Sequence, residues 1–256
     1  MKTMKSKFYS LALAAGMLTL TACSDDNTND SNNDKGNGIE NGSILKGTIT
    51  EDVTLKAGNT YKLSGEYIVE AGATLNIEEG VKIISVYDNI VDYILVKQGA
   101  KINAVGTPDK PIVMTSEKEE PGAWGGIHIC GKAHTNAEGG KGSSEIGGAV
   151  YGGNDDADNS GTLQYIRLEY TGFAFDEEHE ANGISFYGVG NGTIVDHCEA
   201  YKGSDDGFEF FGGSVNVSNM VVVSCSDDSF DWTEGWNGKG TDLVAYQEAK
   251  ATLGYD

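Results

Sequence analysis

The sequence predicts an all-β fold, a right-handed parallel β-helix with about 22 residues per coil. Three observations carry that prediction. Helical patterning is nearly absent, and short runs rich in β-branched and aromatic residues ("VKIISV", "YILVKQGAKINAVG", "LQYIRLEY", "VNVSNMVVV") alternate with turns among the chain's 36 glycines. The stretch "GSDDGFEFFGG" (203–213) returns as "CSDDSFDWTEG" (225–235). Set in register, Ile184, Phe208 and Phe230 fall in one column at steps of 24 and 22, and Val195, Cys198 and Ala200 fall over Val217, Met220 and Val222. Leu163, Ile166 and Leu168 share that pattern one turn earlier. A solenoid needs the same residue types at the same offsets, because each coil buries its apolar side chains on the next. A sandwich built from hairpins does not. At this period the chain has room for about nine coils, each rising about 4.8 Å.

Residues 1–22 are read as a lipoprotein signal peptide. Lys2, Lys5 and Lys7 precede the apolar run "LALAAGMLTLTA", which is too short to span a bilayer. The run ends in Leu20, Thr21, Ala22 and Cys23, which resembles the bacterial lipobox. That resemblance implies acylation of Cys23 and attachment to a membrane through the lipid. Residues 23–43, rich in Asn, Asp, Ser and Gly, bury too little to offset ordering entropy and read as a flexible acidic tether. The "SDD" after the cysteine resembles the export signal of Gram-negative surface lipoproteins, so the expected location is the cell-surface side of the outer membrane. Residues 44–256 form the β-helix domain.

The net charge of −21 argues against nucleic acid and against peripheral binding to anionic lipid. After Cys23 three cysteines remain: Cys130, Cys198 and Cys225. An odd, widely spaced set is not a disulfide framework. Small buried thiols are expected, with a Cys198–Cys225 bridge as the alternative.

The N-terminal half carries "GATLNIEEGVKI" (72–83), "GTPDKPI" (106–112) and "WGGI" (124–127), followed by "YGGNDDADNSGTLQYIRLEYTG" (151–172) and the "SDDGFEFFGG" coil. In that order these stretches resemble a family of bacterial secreted and outer-membrane β-helix lipoproteins, over about residues 60–247. The resemblance implies fold and location more than chemistry. Chains of that family usually continue through further coils, whereas this one stops at "AYQEAKATLGYD". A solenoid without a cap exposes an apolar end and strand edges. The expectation is a truncated chain, or a protein partner docked at the C-terminal end.

In "FEF" and "FDW" strand alternation turns the aromatics one way and the acids the other. Phe208 is expected to stack on Phe230, and Phe210 on Trp232, inside the helix. Glu209 then lies over Asp231 on the outer face, and Asp205 and Asp206 over Asp227 and Asp228 at the turn. From Gly203 to Gly238 there are seven acids and no Lys, Arg or His. Two like charges about 5 Å apart repel by roughly 0.8 kcal/mol in water and about 3 kcal/mol at an effective dielectric of 20. Exposed, such a ladder is tolerable; partly buried, it needs a cation or a proton on one member. Two readings follow. Ser and Asp cap backbone N–H groups at each corner, or the acids form a strip that binds Ca²⁺ or a cationic or polyhydroxylated ligand. A second calcium candidate is Asp156, Asp158 and Ser160, the first half of a calcium loop whose closing glutamate position is Arg167.

"SDDG" also resembles the paired aspartates of β-helix pectin hydrolases, but their Gly-His-Gly and Arg-x-Lys elements are missing. His179 and His197 are the histidines nearest the acids in sequence, and His197 is read as solvated. Three functions stand open. The first is a lipid-anchored surface protein for binding or adhesion, with carbohydrate as ligand and Tyr151, Phe173 and Phe175 as aromatic platforms on loops 134–162 and 173–182. The second is an extracellular polysaccharide lyase or glycoside hydrolase using the stacked carboxylates. The third is a structural subunit docking through its open end.

Overall fold

The computed structural model describes residues 38–249 apart from 89 and 176–178. Cys23, the signal peptide, most of the tether and residues 250–256 lie outside the described residues. Within them the chain winds as a right-handed parallel β-helix, as the repeat predicts.

The first coil holds β1 (Gly38–Ile39) and β2 (Ile44–Ile49), and the second β3 (Val53–Leu55) and β4 (Thr60–Val69). The third holds β5 (Thr74–Ile77), β6 (Lys82–Ser85) and β7 (Tyr93–Val96), and the fourth β8 (Lys101–Val105), β9 (Ile112–Ser116) and β10 (Ile127–Cys130). A long excursion follows, carrying the antiparallel pair β11 (Gly142–Ser143) and β12 (Val150–Tyr151). Later coils pair β13 (Gly161–Glu169) with β14 (Ile184–Tyr187), β15 (Ile194–Tyr201) with β16 (Phe208–Phe211), and β17 (Asn216–Val223) with β18 (Phe230–Thr233). Strand β19 (Gly240–Tyr246) opens an eighth coil.

The pairings sort these strands into three parallel columns. The first runs through β1, β3, β5 and β8 into the front halves of β13, β15 and β17. The second runs through the front of β4, then β6 and β9, into the back halves of the same long strands. The third runs through the back of β4, then β7, β10, β14, β16 and β18.

The expected columns of the later coils are present: Leu163, Val195 and Val217 pair in sequence, as do Leu168, Ala200 and Val222. All are buried in one continuous core with Ile184, Phe186, Phe208 and Phe210. Each large aliphatic or aromatic side chain buried there contributes about 1.5–3 kcal/mol.

Two expectations need correction. The described residues make seven coils and part of an eighth, fewer than the nine the period suggested, because insertions lengthen the coils. Phe208 meets Phe230 after 22 residues, whereas Ile127 meets Ile184 only across the excursion. A solenoid tolerates such loops because they leave the strand register unchanged. The aromatic ladder also ends differently. Phe208 does stack on Phe230 at 5.8 Å, but Phe210 stacks on Trp236 at 4.6 Å. Trp232 holds its register position opposite Phe210 yet is 62% exposed. Trp236 reaches back under it, donating its indole N–H to Val215 O at 3.1 Å, and fills the space the ladder would have taken.

The corner between the first and second columns is turned by left-handed residues other than glycine: Tyr165 (φ 51°), His197 (φ 52°) and Asn219 (φ 54°). Such a conformation costs about 1–3 kcal/mol each. Contacts between coils offset it. Tyr165 and His197 stack at 4.4 Å, and Asp196 Oδ1 accepts from Ser218 Oγ and Asn219 Nδ2, each at 2.8 Å. Cys130, Cys198 and Cys225 are free and buried, so the bridged alternative is not formed.

Candidate functional site: an acidic ledge on the third column

Every strand of the third column turns alternate residues outward. Leu95, His128, Ser185, Glu209 and Asp231 make one such outward row, paired coil to coil. A second row holds Cys130, Tyr187 and Phe211. At Leu95 and along the second row this outer face is covered. Ile146, Ala149 and Tyr151 of the excursion pack on Leu95, Cys130, Tyr187 and Phe211, with Ala181 alongside. The cover is fastened to the last coils through Glu234, whose carboxylate accepts from Thr135 Oγ1 at 2.5 Å and from Tyr151 Oη at 2.9 Å. His134 adds a bridge, with Nδ1 at 2.8 Å from Asp156 Oδ1 and Nε2 at 2.9 Å from Gly235 O.

Glu209 and Asp231 sit where this row reaches the later coils, and there the acids converge. One oxygen from each of Asp205, Asp206 and Asp227 lies within 4.8 Å of the others, and so does one from each of Asp206, Glu209 and Asp231. Asp206 belongs to both groups. The turn that presents it is tight: a Cβ added to Gly207 would lie 2.6 Å from Val222 and 2.7 Å from Ser229 O. Glycine at position 207 is therefore a packing requirement. Capping contributes as well, since Asp206 Oδ1 accepts the Asp228 N–H at 2.8 Å. The capping reading of the repeat is thus met at this corner, and the acids of the two coils lie close together.

Partial burial decides the electrostatics. Burial first, then the charges of Glu180 and Asp227, pushes the Asp205 carboxyl up to about 7. Burial and the Asp205 charge push Asp206 up to about 8. Glu209 goes up to about 10, through burial and then the charges of Glu145, Asp206 and Asp231, against the hydrogen bond from Asn182. Glu145 itself is raised to about 7, mainly by burial. At neutral pH Glu209 therefore keeps its proton. This is the partly buried case, in which the ladder needs a cation or protonation.

Sequence reasoning missed Glu145, Glu180 and Asn182. Glu145 lies in the excursion and Glu180 in the loop before β14, outside the repeat that marked the other acids. Asn182 donates to Glu209 Oε2 at 2.6 Å and to Ser185 Oγ at 3.1 Å. Its place two residues before β14 was the one available signal.

Other predicted positions fall elsewhere. Asp156 is engaged by His134, while Ser160 Oγ donates to Asp158 Oδ2 at 3.2 Å. Those carboxylates serve different partners within the excursion. Arg167 lies on the second column, bound to Glu169 and Glu199 and over the Tyr201 ring at 4.4 Å. Tyr151 is not a platform: it is 3% exposed and forms part of the cover. Phe173 is half-buried and meets Phe175 edge-on at 5.1 Å, and Phe175 is 44% exposed. His197 stands at its corner, beside Asp196 at 2.8 Å.

No curated protein and no solved structure matches the sequence. The family model described as a pectate-lyase-like β-helix domain matches residues 47–256, which takes in all three columns and the ledge. With strand pairing, repeat and family model in agreement, the chain belongs to the pectate-lyase-like β-helix family.

Proposed function

We propose that the protein is a lipid-anchored β-helix of the outer-membrane surface that binds carbohydrate through the acidic ledge. The observation that carries this reading is the gathering of carboxyl groups from two successive coils on the outer face of one column, beside a covering loop. Membership of the pectate-lyase-like family supports a polysaccharide-related role. Carboxyl oxygens accept the hydroxyl hydrogens that sugars present in number. An aromatic rim lies on the same column, where Gly65, Glu66, Ile90, Val91, Tyr93 and Phe175 line a groove of about 500 Å³. Phe175 offers that groove an apolar face for a sugar ring. Anchoring through Cys23 would hold the solenoid at the surface, with its long faces open to polymer. Calcium is the cation we propose for the grouped oxygens of Asp205, Asp206 and Asp227, which would supply part of the oxygen shell it takes, and titration calorimetry with melting in chelator tests it. A glycan array probed with the full chain and with Asp205→Asn/Asp227→Asn tests the binding reading. Equal signals from both proteins, or none from either, would remove it.

A specific observation favours a second reading, glycoside hydrolysis. Glu209 holds a proton to about pH 10, and its carboxyl and that of Asp231 have oxygens within 4.8 Å. A protonated acid beside a second carboxylate is the pairing that hydrolysis of a glycosidic bond requires. Release of reducing ends from an array-positive glycan, abolished by Glu209→Gln, would establish it; intact glycan after prolonged incubation would discard it.

A further inference from the structure

We propose that the groove at the corner between the first and second columns binds a neutral sugar, with Tyr165 as its platform and His197, Arg167 and Glu199 as its hydrogen-bonding groups. The groove is separate from the acidic ledge, which lies on the third column. It adds a second site with a different ligand class.

The groove measures about 300 Å³, at the small end of the range for ligand pockets. The turn between β8 and β9, in the "GTPDKPI" stretch, supplies Pro108 and Pro111, and the corners of the next three coils supply Tyr165, His197 and Asn219. That turn is firmly set. Gly106 donates its N–H to Gln164 O at 2.8 Å, and a Cβ there would lie 2.6 Å from Tyr165 O. Thr107 and Lys110 bond to each other in both directions, at 3.1 Å each. The site is therefore formed in advance, and a ligand need not order it.

Tyr165 is the residue that the corner does not explain. Its left-handed conformation (φ 51°) is strained for a ring side chain, whereas Asn219 meets the same demand two coils later with little strain. Strain of this kind gathers where a ligand is held. Stacking on His197 at 4.4 Å fixes the tyrosine ring. With the two prolines it offers an apolar surface to the C–H face of a pyranose.

Polar groups border that surface. His197 Nδ1 is 2.8 Å from Asp196 Oδ2, so its hydrogen goes to the carboxylate. Nε2, which has no partner among the described residues, is left for a ligand. Asp196 is itself held by Ser218 and Asn219, which fixes the imidazole. Arg167 binds Glu169 through Nε at 2.6 Å and Glu199 through Nη1 at 3.2 Å, and it lies over the Tyr201 ring at 4.4 Å. Its Nη2 is engaged by no described residue. A rigid donor thus stands beside the acceptor oxygens of Glu199. Neighbouring sugar hydroxyls, each both donor and acceptor, match such a pair. A uronate does not: the Arg167 charge is already matched by Glu169 and Glu199, and the chain's net charge of −21 repels an anion.

Saturation-transfer NMR on the full chain at pH 7 tests the site, with cellobiose, maltose, lactose and digalacturonate as probes and titration of each for its Kd. At least one neutral disaccharide is expected to bind, about tenfold or more tighter than digalacturonate. Tyr165→Asn and His197→Asn are each expected to weaken that sugar about tenfold. Asparagine takes the left-handed conformation readily, as Asn219 does, so both variants keep the corner and lost binding is not lost fold. Thermal melting of the variants checks this, and having two keeps the test decisive if one disturbs the coil. No binding by any neutral disaccharide, digalacturonate bound as tightly, or an unchanged affinity in either variant would overturn the site. The ledge stands or falls separately, on the array and its Asp205→Asn/Asp227→Asn variant.

Discussion

The hydroxyl of Tyr151 donates to both carboxylate oxygens of Glu234, at 3.0 and 2.9 Å, across 83 residues of sequence. Tyr151 lies in the cover over the third column, and Glu234 lies just past β18. Glu234 adopts φ 50° and receives Thr135 Oγ1 as well. One carboxylate thus clasps the excursion to coils that form much later in the chain, and beneath the cover lies the Cys130 thiol.

Glu234→Ala leaves the Tyr151 hydroxyl buried without an acceptor, which costs about 1–3 kcal/mol. Local opening of the cover is expected to rise about tenfold, the equivalent of about 1.4 kcal/mol. The measurement is the alkylation rate of Cys130, located by mass spectrometry and divided by that of a model thiol. A rate equal to the wild type would mean that the clasp does not hold the cover.

Stability should fall as pH rises. Unfolded carboxyls ionise near pH 4, whereas folded Glu145 and Asp205 hold protons to about 7, Asp206 to about 8 and Glu209 to about 10. Between about pH 5 and 9 the folded state binds more protons than the unfolded one, so each rise in pH favours unfolding. Glu209→Gln removes the largest of these shifts and should flatten the profile by on the order of 2–4 kcal/mol across that range. Urea melts at several pH values check it, and parallel profiles for the two proteins would show that Glu209 titrates normally.

Gly207→Ala drives a methyl into Val222 and Ser229 O. The expected cost is about 1–3 kcal/mol. Gly207 has no left-handed φ, so its cost is that of the clash, whereas Ala at Gly58, whose Cβ position is open at φ +70°, gives the cost of left-handed strain alone. Thermal melting of the two variants separates the effects, and a Gly207→Ala protein as stable as wild type would refute the close approach.

The two tryptophans of the last coils should differ. Trp236→Ala loses the stack on Phe210 and the bond to Val215, for about 3 kcal/mol. Trp232→Ala, at an exposed position, should stay within about 0.5 kcal/mol of wild type. The reverse order in denaturant melts would restore Trp232 to the inner ladder.

The repeat in the sequence was enough to determine the β-helix, the inward ladder from Ile184 through Phe208 to Phe230, and the placing of Glu209 over Asp231. Neighbouring coils are in direct contact, so a fixed spacing along the chain becomes a fixed spacing in space, and strand alternation assigns each side chain its face. Tertiary structure alone decided what lies outside that spacing. Glu145 reaches the charge field of Glu209 on an excursion with no period of its own. Tyr151 went into the cover, not onto a rim, because that excursion folds back over Tyr187 and Phe211. Trp236 took the place expected of Trp232 because the turn after β18 doubles back beneath it. The burial that lifts Glu209 and Asp206 out of the ordinary carboxylate range comes largely from these same long-range contacts. The acids could therefore be located from the sequence, but their protonation could not.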